Sequence, residues 1–198
     1  MQIKRDFEET EGWLRALTKG LPVAIMPNPL AAEALGESSN AISKKVKNGD
    51  VPVITIGERR YISADFVAER VEAERALKAS IIHKLEHVAR NGATIFYGEL
   101  MEMVGMKWQS PPDRSKIGYI LGAISRKTFE EEGILLSALV HRKGPEPTSP
   151  GPGYRELMAS LREDHDDLDF DPEEDQEIML DRHMSAVWKH YGAKRARH

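Results

Sequence analysis

The sequence predicts a mainly α fold with short β-hairpins, an α+β class. It divides into two winged helix-turn-helix modules joined by a long helix, with a further helix at the C-terminal end. Three observations predict it. Residues 29–62, PLAAEALGESSNAISKKVKNGDVPVITIGERRYI, read as helix, tight turn, helix and hairpin. Residues 80–160 repeat that order with a looser pattern. Between them, Phe66, Val67, Val71, Ala76 and Leu77 recur at helical spacing, and the pattern continues through Ile81, Ile82, Leu85 and Val88 to Arg90. The expected boundaries are a first module over 1–64, a linking helix over 65–79 and a second module over 80–162. An acidic linker over 163–175 and a helix with a basic tail over 176–198 complete the chain.

Taken in order, residues 5–19 predict an amphipathic helix with Phe7, Trp13, Leu14 and Leu17 as its apolar set. Leu21 to Ile25 suit a short strand pairing with the hairpin, and Pro27 and Pro29 lead into the next helix. Ala31, Ala32, Ala34 and Leu35 give that helix a compact packing side, and Gly36 suits the left-handed turn that ends it. Ser38, Ser39 or Asn40 can cap the following helix. In that helix Ile42 and Val46, four apart, point to the core. Lys44, Lys45 and Lys47 then fall on the opposite face with Ser39, Asn40 and Ser43. Short polar and lysine side chains on one face suit contacts to phosphates and base edges. Asn48-Gly49-Asp50 ends the helix, Val51 to Ile56 alternate as a strand, and Gly57-Glu58 turns the hairpin into Arg59-Arg60-Tyr61-Ile62.

In these residues, AAEALG followed by SSNAISKKVKNGDVPVITIGERRYI, the first module resembles the excisionase and MerR-like family of DNA-binding domains. The resemblance covers about 40 residues. It implies that Ser39, Asn40, Lys44 and Lys47 face the major groove and that Arg59 and Arg60 on the wing meet the backbone. The other reading of the same elements is a helix-hairpin module that packs against a protein.

The second module predicts a strand over Ala93 to Phe96, a helix over Gly98 to Val104 closed by Gly105, and a polar loop, Gln109 to Asp113. A helix from Arg114 to about Phe129 and a strand from Ile134 to His141 follow. A Gly/Pro loop over 144–153 and a helix over Tyr154 to Leu161 close it. The runs ATIFYGELMEMVG, KIGYILGAISRK and LLSALVHRKGPEPTSPGPGY resemble the DNA-binding half of the DNA alkyltransferases and their non-enzymatic relatives. Tyr97-Gly98-Glu99-Leu100 matches their Tyr-Gly-x-Leu, Ile117-Gly118-x-x-Leu121 their recognition helix, and His141-Arg142 the end of their Pro-Cys-His-Arg strand. The reactive cysteine is absent, and Ser115 stands where the family carries an intercalating arginine, with Arg114 one place early. The resemblance implies a second candidate DNA site at Tyr97, Arg114, Ser115 and Lys116, and a lesion-sensing role without alkyl transfer.

Composition narrows the chemistry. The chain has no cysteine, which excludes disulfides, thiolate zinc sites and a cysteine nucleophile. The charged N-terminal stretch does not read as a signal peptide, and no apolar run approaches the roughly 18 residues of a membrane span. The net charge of −4 is unevenly placed. Residues 163–181 hold 11 of the 32 acids and no Lys or Arg, leaving 21 acids against 28 bases elsewhere, a balance of +7. A basic body with one acidic segment is compatible with nucleic acid. His83-x-x-Glu86-His87 has inverted-zincin spacing, and Asp167, Asp169 and Asp171 begin a calcium-loop pattern that Pro172 and Ile178 break. Both read as solvated surface, as do His141, Arg142 and Lys143. No metal or cofactor is expected.

The sequence therefore predicts a non-enzymatic, cytoplasmic double-stranded DNA-binding protein, a transcriptional regulator or accessory factor of a bacterium, plasmid or phage. Its rivals are an interaction protein that inhibits a host factor and an alkyltransferase-like lesion sensor. A homodimer is expected through the apolar faces of the long helix and the Trp188 helix, and the latter is also the candidate contact for a protein partner.

Overall fold

The computed structural model describes residues 14–15, 18–20, 25–56, 59–143, 152–164 and 176–192. The fold is dominated by helices, with two small sheets. The chain divides into two compact units, Met1–Ala76 and Leu77–His198, so the division falls inside the longest helix. No helix among the described residues is long and apolar enough to cross a membrane.

The first unit runs β1 (Ile25–Met26), α1 (Asn28–Ala34), α2 (Ser39–Asn48), β2 (Val53–Ile56), β3 (Arg59–Ser63) and the start of α3 (Ala64–Arg90). Pro29 lies in the first turn of α1, where its fixed φ suits a helix and its missing N–H costs nothing. Gly36 takes φ 64° in the turn after it. Ser38 caps α2 by accepting from the Ala41 N–H at 3.2 Å. Gly49, at φ 80°, ends α2 by donating back to the Lys45 and Val46 carbonyls. The sheet has the order β1-β3-β2, all antiparallel, with Met26 opposite Ile62 and Val53 opposite Ile62 on the other side. Of the expected strand over Leu21 to Ile25, only Ile25 lies within the described residues, where it belongs to β1 and pairs with Ser63. Of the expected N-terminal helix, Leu14 is described and packs against this core, while Phe7, Trp13 and Leu17 lie outside the described residues.

The core of this unit is Met26, Ala31, Ala32, Ile42, Val51, Ile62, Ala64 and Val67. Alanines on α1 let α2 approach closely, and Ile42 fills the space without any exposed surface.

The second unit takes the rest of α3, then β4 (Ile95–Phe96), α4 (Tyr97–Met103), α5 (Pro111–Glu132), a 3₁₀ turn (Leu136–Leu139), β5 (Val140–His141), α6 (Pro152–Asp164) and α7 (Gln176–His190). Helix α5 starts three residues before the expected Arg114. Ser110 accepts from the Asp113 N–H, and the prolines after it are preset for a first helical turn. The expected strand over Ile134 to His141 shrinks to Val140–His141. The reason is tertiary: Ser137 is drawn onto α5, where its N–H and hydroxyl both meet Ser125. The chain there coils into a 3₁₀ turn. Strands β4 and β5 pair in parallel, Ile95 with Val140 and Phe96 with His141. A wing in this unit would fall over residues 144–151, outside the described residues.

Helix α7 puts Met179, Leu180, Met184 and Val187 into the core, and the Trp188 indole donates to the Ala93 carbonyl at 3.0 Å. Helix α3 buries Ile81, Leu85, Val88 and Ala89 in the same core. The two apolar faces expected to form a dimer seam are therefore occupied within their own unit, and on α7 only Ile178, 62% exposed, is left among the described large apolar residues. Most of the acidic linker and the basic tail lie outside the described residues.

Tyr154 on α6 is buried, with its hydroxyl in hydrogen-bond contact with His183 Nδ1 on α7 at 2.8 Å. Burial raises its phenol far above the ordinary value, and Arg182 pulls it only partly back. Between pH 10 and that raised value the folded state keeps a proton the unfolded state has lost. Stability present below about pH 10 is expected to fall as pH rises, by about 1.4 kcal/mol per pH unit from this residue. Urea midpoints measured from pH 7 to pH 11 check this, and the alkaline slope should be shallower by that amount in Tyr154→Phe. Equal slopes in the two proteins would reject it.

Candidate nucleic-acid interface

The α1–turn–α2 arrangement of the first unit exposes Ser39, Asn40, Lys44 and Lys47, while Ile42 and Val46 anchor the opposite side of α2. At about 100° per residue, Asn40, Lys44 and Lys47 lie within one sector of the helix. Ser43 lies in that sector but is half-buried, its hydroxyl accepting from Asn28 Nδ2 at 2.7 Å. That bond ties the start of α1 to the middle of α2 and fixes how the two helices cross.

Lys45 departs from the expected grouping. It follows Ile42 by three positions, so it lies beside the apolar stripe, and its ammonium pairs with Glu37 at 2.6 Å. Lys45 thus helps hold the turn and does not join Lys44 and Lys47. On β3, Arg60 is exposed opposite Thr55. Arg59 pairs with Ile56 through the backbone, and its side chain lies outside the described residues.

In the second unit the structure brings Tyr97, Arg114, Ser115 and Lys116 together around the start of α5. The Tyr97 hydroxyl donates to the Arg114 carbonyl at 3.1 Å, joining the start of α4 to the first turn of α5. Arg114 Nη1 donates to the Trp108 carbonyl at 2.9 Å. Ser115 and Lys116 are exposed. Partial burial lifts the Tyr97 phenol above its ordinary value, against the lowering pull of Arg114 and Arg142. The hydroxyl is therefore held protonated as a donor within a cationic neighbourhood.

Two residues beside this cluster escape the sequence reading. Trp108 is 53% exposed and Tyr119 66% exposed. Their signals were present: Trp108 sits in the polar run Lys-Trp-Gln-Ser-Pro-Pro, and Tyr119 lies off the Ile117, Ile120, Leu121, Ile124 stripe that α5 buries.

Of the remaining motifs, Asp167, Asp169 and Asp171 lie outside the described residues. His87 Nε2 contacts Asn91 Nδ2 at 3.2 Å and His83 is exposed. No group of three metal-ligating side chains occurs among the described residues. His141, expected at a solvated edge, is instead buried, with Nε2 3.2 Å from the Ala138 carbonyl, while Arg142 and Lys143 are exposed. It lies in β5, opposite Phe96 of β4. No protein-family model, curated protein or solved structure matches the chain.

Proposed function

We propose that the chain is a non-enzymatic double-stranded DNA-binding protein of the excisionase-like winged helix-turn-helix kind, acting as a transcriptional regulator or accessory factor. The observation that carries this reading is the exposed face of α2. Asn40, Lys44 and Lys47 stand together on it, backed by Ile42 in the core, and the β2–β3 hairpin of the same unit exposes Arg60. A capped, rigidly seated helix with short polar groups and lysines outward is the arrangement that enters a major groove. The hairpin arginine suits a phosphate beside it.

Selection of duplexes from a random pool, followed by sequencing, tests specificity. Recovery of one motif supports a regulator; enrichment of none turns the reading toward an interaction protein. Salt dependence tests the contacts. In Lys44→Ala/Lys47→Ala the slope of log K against log salt is expected to flatten by about 0.9 per lost phosphate contact. Lys45→Ala is expected to leave that slope unchanged, because its ammonium is engaged by Glu37. Unchanged slopes in every variant would reject α2 as the DNA face.

A further inference from the structure

We infer that the second unit carries a binding surface for an unpaired DNA strand, with Trp108 and Tyr119 as stacking platforms and Arg114 and Lys116 as phosphate contacts. This surface goes beyond the duplex reading of the first unit and stands on different residues.

The first support is the exposure of the two aromatic rings. Trp108 and Tyr119 both stand largely outside the core. Lys78 Nζ stands 5.9 Å from the centre of the Tyr119 ring. Arg114 donates to the backbone carbonyl of Trp108 at 2.9 Å, which holds its guanidinium at the segment that carries the exposed indole. Lys116 is three positions before Tyr119 on α5 and so neighbours it on the helix surface.

The second support is the floor around Tyr119. Its other helical neighbours are Ser115, Gly122 and Ala123, all small. A Cβ added to Gly122 would meet nothing within 4 Å. The phenol ring therefore has open space beside it for a planar partner.

Charge decides the kind of partner. Between Lys107 and Tyr119 the chain carries Lys107, Arg114 and Lys116 against one acid, Asp113, while Lys127 further along α5 is paired with Glu131. The Asp113 carboxylate is spent on the Lys107 backbone N–H at 2.9 Å. Aromatic rings interleaved with cations match a strand whose bases have free faces and whose phosphates are regularly spaced. A duplex hides those faces in its stack, so it would leave both rings unused.

The test uses the full chain and an oligo(dT) of about 20 nucleotides, long enough to span a site of this kind. Tryptophan fluorescence is expected to be quenched in a saturable way at about 50 mM salt. Trp108→Phe should lose most of the quenching, since Trp13 and Trp188 stand elsewhere in the sequence. By anisotropy, Trp108→Ala and Tyr119→Ala should each weaken binding about tenfold. Arg114→Gln and Lys116→Gln should each flatten the salt slope by about 0.7. Both aromatic residues are exposed, and an unchanged thermal midpoint confirms that the variants fold. Lys44→Ala/Lys47→Ala should bind oligo(dT) as the unaltered chain does, whether or not the duplex reading holds. Absence of saturable binding, or affinities within about twofold of the unaltered chain for both alanine variants, would overturn the inference.

Discussion

Ile42→Ala is expected to cost about 2–5 kcal/mol and to remove duplex binding altogether. Ile42 is fully buried, and it is the residue of α2 that enters the first unit's core. Three of the eight side chains in that core are alanines, which leaves few large groups to close around a cavity. A small domain has only about 5–15 kcal/mol of stability in total, and a unit of this size lies toward the lower end. The loss would therefore take most of what holds the unit folded. It would also release the exposed face of α2, because Asn40, Lys44 and Lys47 are positioned only by the seating of that helix. Ile42→Val should cost about 0.5–1.5 kcal/mol and keep binding. The second unit's core shares no residue with the first's. Its near-ultraviolet signal from Trp188 should persist in Ile42→Ala when the first unit has melted. Urea unfolding followed at both signals checks this, and a cost under about 1 kcal/mol would show that Ile42 does not anchor α2.

What could be read from the sequence was what local chemistry decides. Ser38, Gly36 and Gly49 mark the ends of α1 and α2 because caps and left-handed turns depend on the residue itself. Ile42 and Val46 disclose the buried side of α2 through their spacing alone. Lys45 was legible too: its position three after Ile42 places it beside the core stripe, and counting it with Lys44 and Lys47 overlooked that rotation. Glu37 as its partner depends on how the turn folds, which spacing does not disclose.

The rest depended on contacts distant in sequence. Ile134 to His141 is an apolar run that suits a buried strand, yet its course is set by a serine on α5. The parallel pairing of β4 with β5 joins residues about 45 apart, and parallel partners are connected by crossovers that leave no local turn signal. His141 is buried within that pairing, while its sequence neighbours Arg142 and Lys143 suggest a solvated edge. In the candidate second site, Tyr97 and Arg114 were found by resemblance. The bond between them, and the exposed rings of Trp108 and Tyr119 beside them, emerged only from the packing of α4 against the start of α5.

Ser125→Ala is expected to cost about 1–3 kcal/mol, far more than an exposed serine would. Ser125 has no exposed surface, and its hydroxyl serves Ser137 twice. It donates to Ser137 Oγ at 2.6 Å and accepts from the Ser137 N–H at 3.1 Å. Thr128, one turn on, closes the same corner by donating to the Ile134 carbonyl at 3.0 Å. Removing the Ser125 hydroxyl leaves a buried backbone N–H and a buried hydroxyl without their partner. Ser137→Ala removes less, because its N–H still reaches Ser125, and a cost nearer 1 kcal/mol is expected. Once Ser125 is alanine, the second replacement also removes the stranded Ser137 hydroxyl. The double variant should therefore cost less than the two single losses added, with a coupling of about 1 kcal/mol. Urea unfolding of the four proteins measures that coupling. Strict additivity would mean that the two hydroxyls act separately, and that packing by Leu136 and Leu139 alone coils this segment into its 3₁₀ turn.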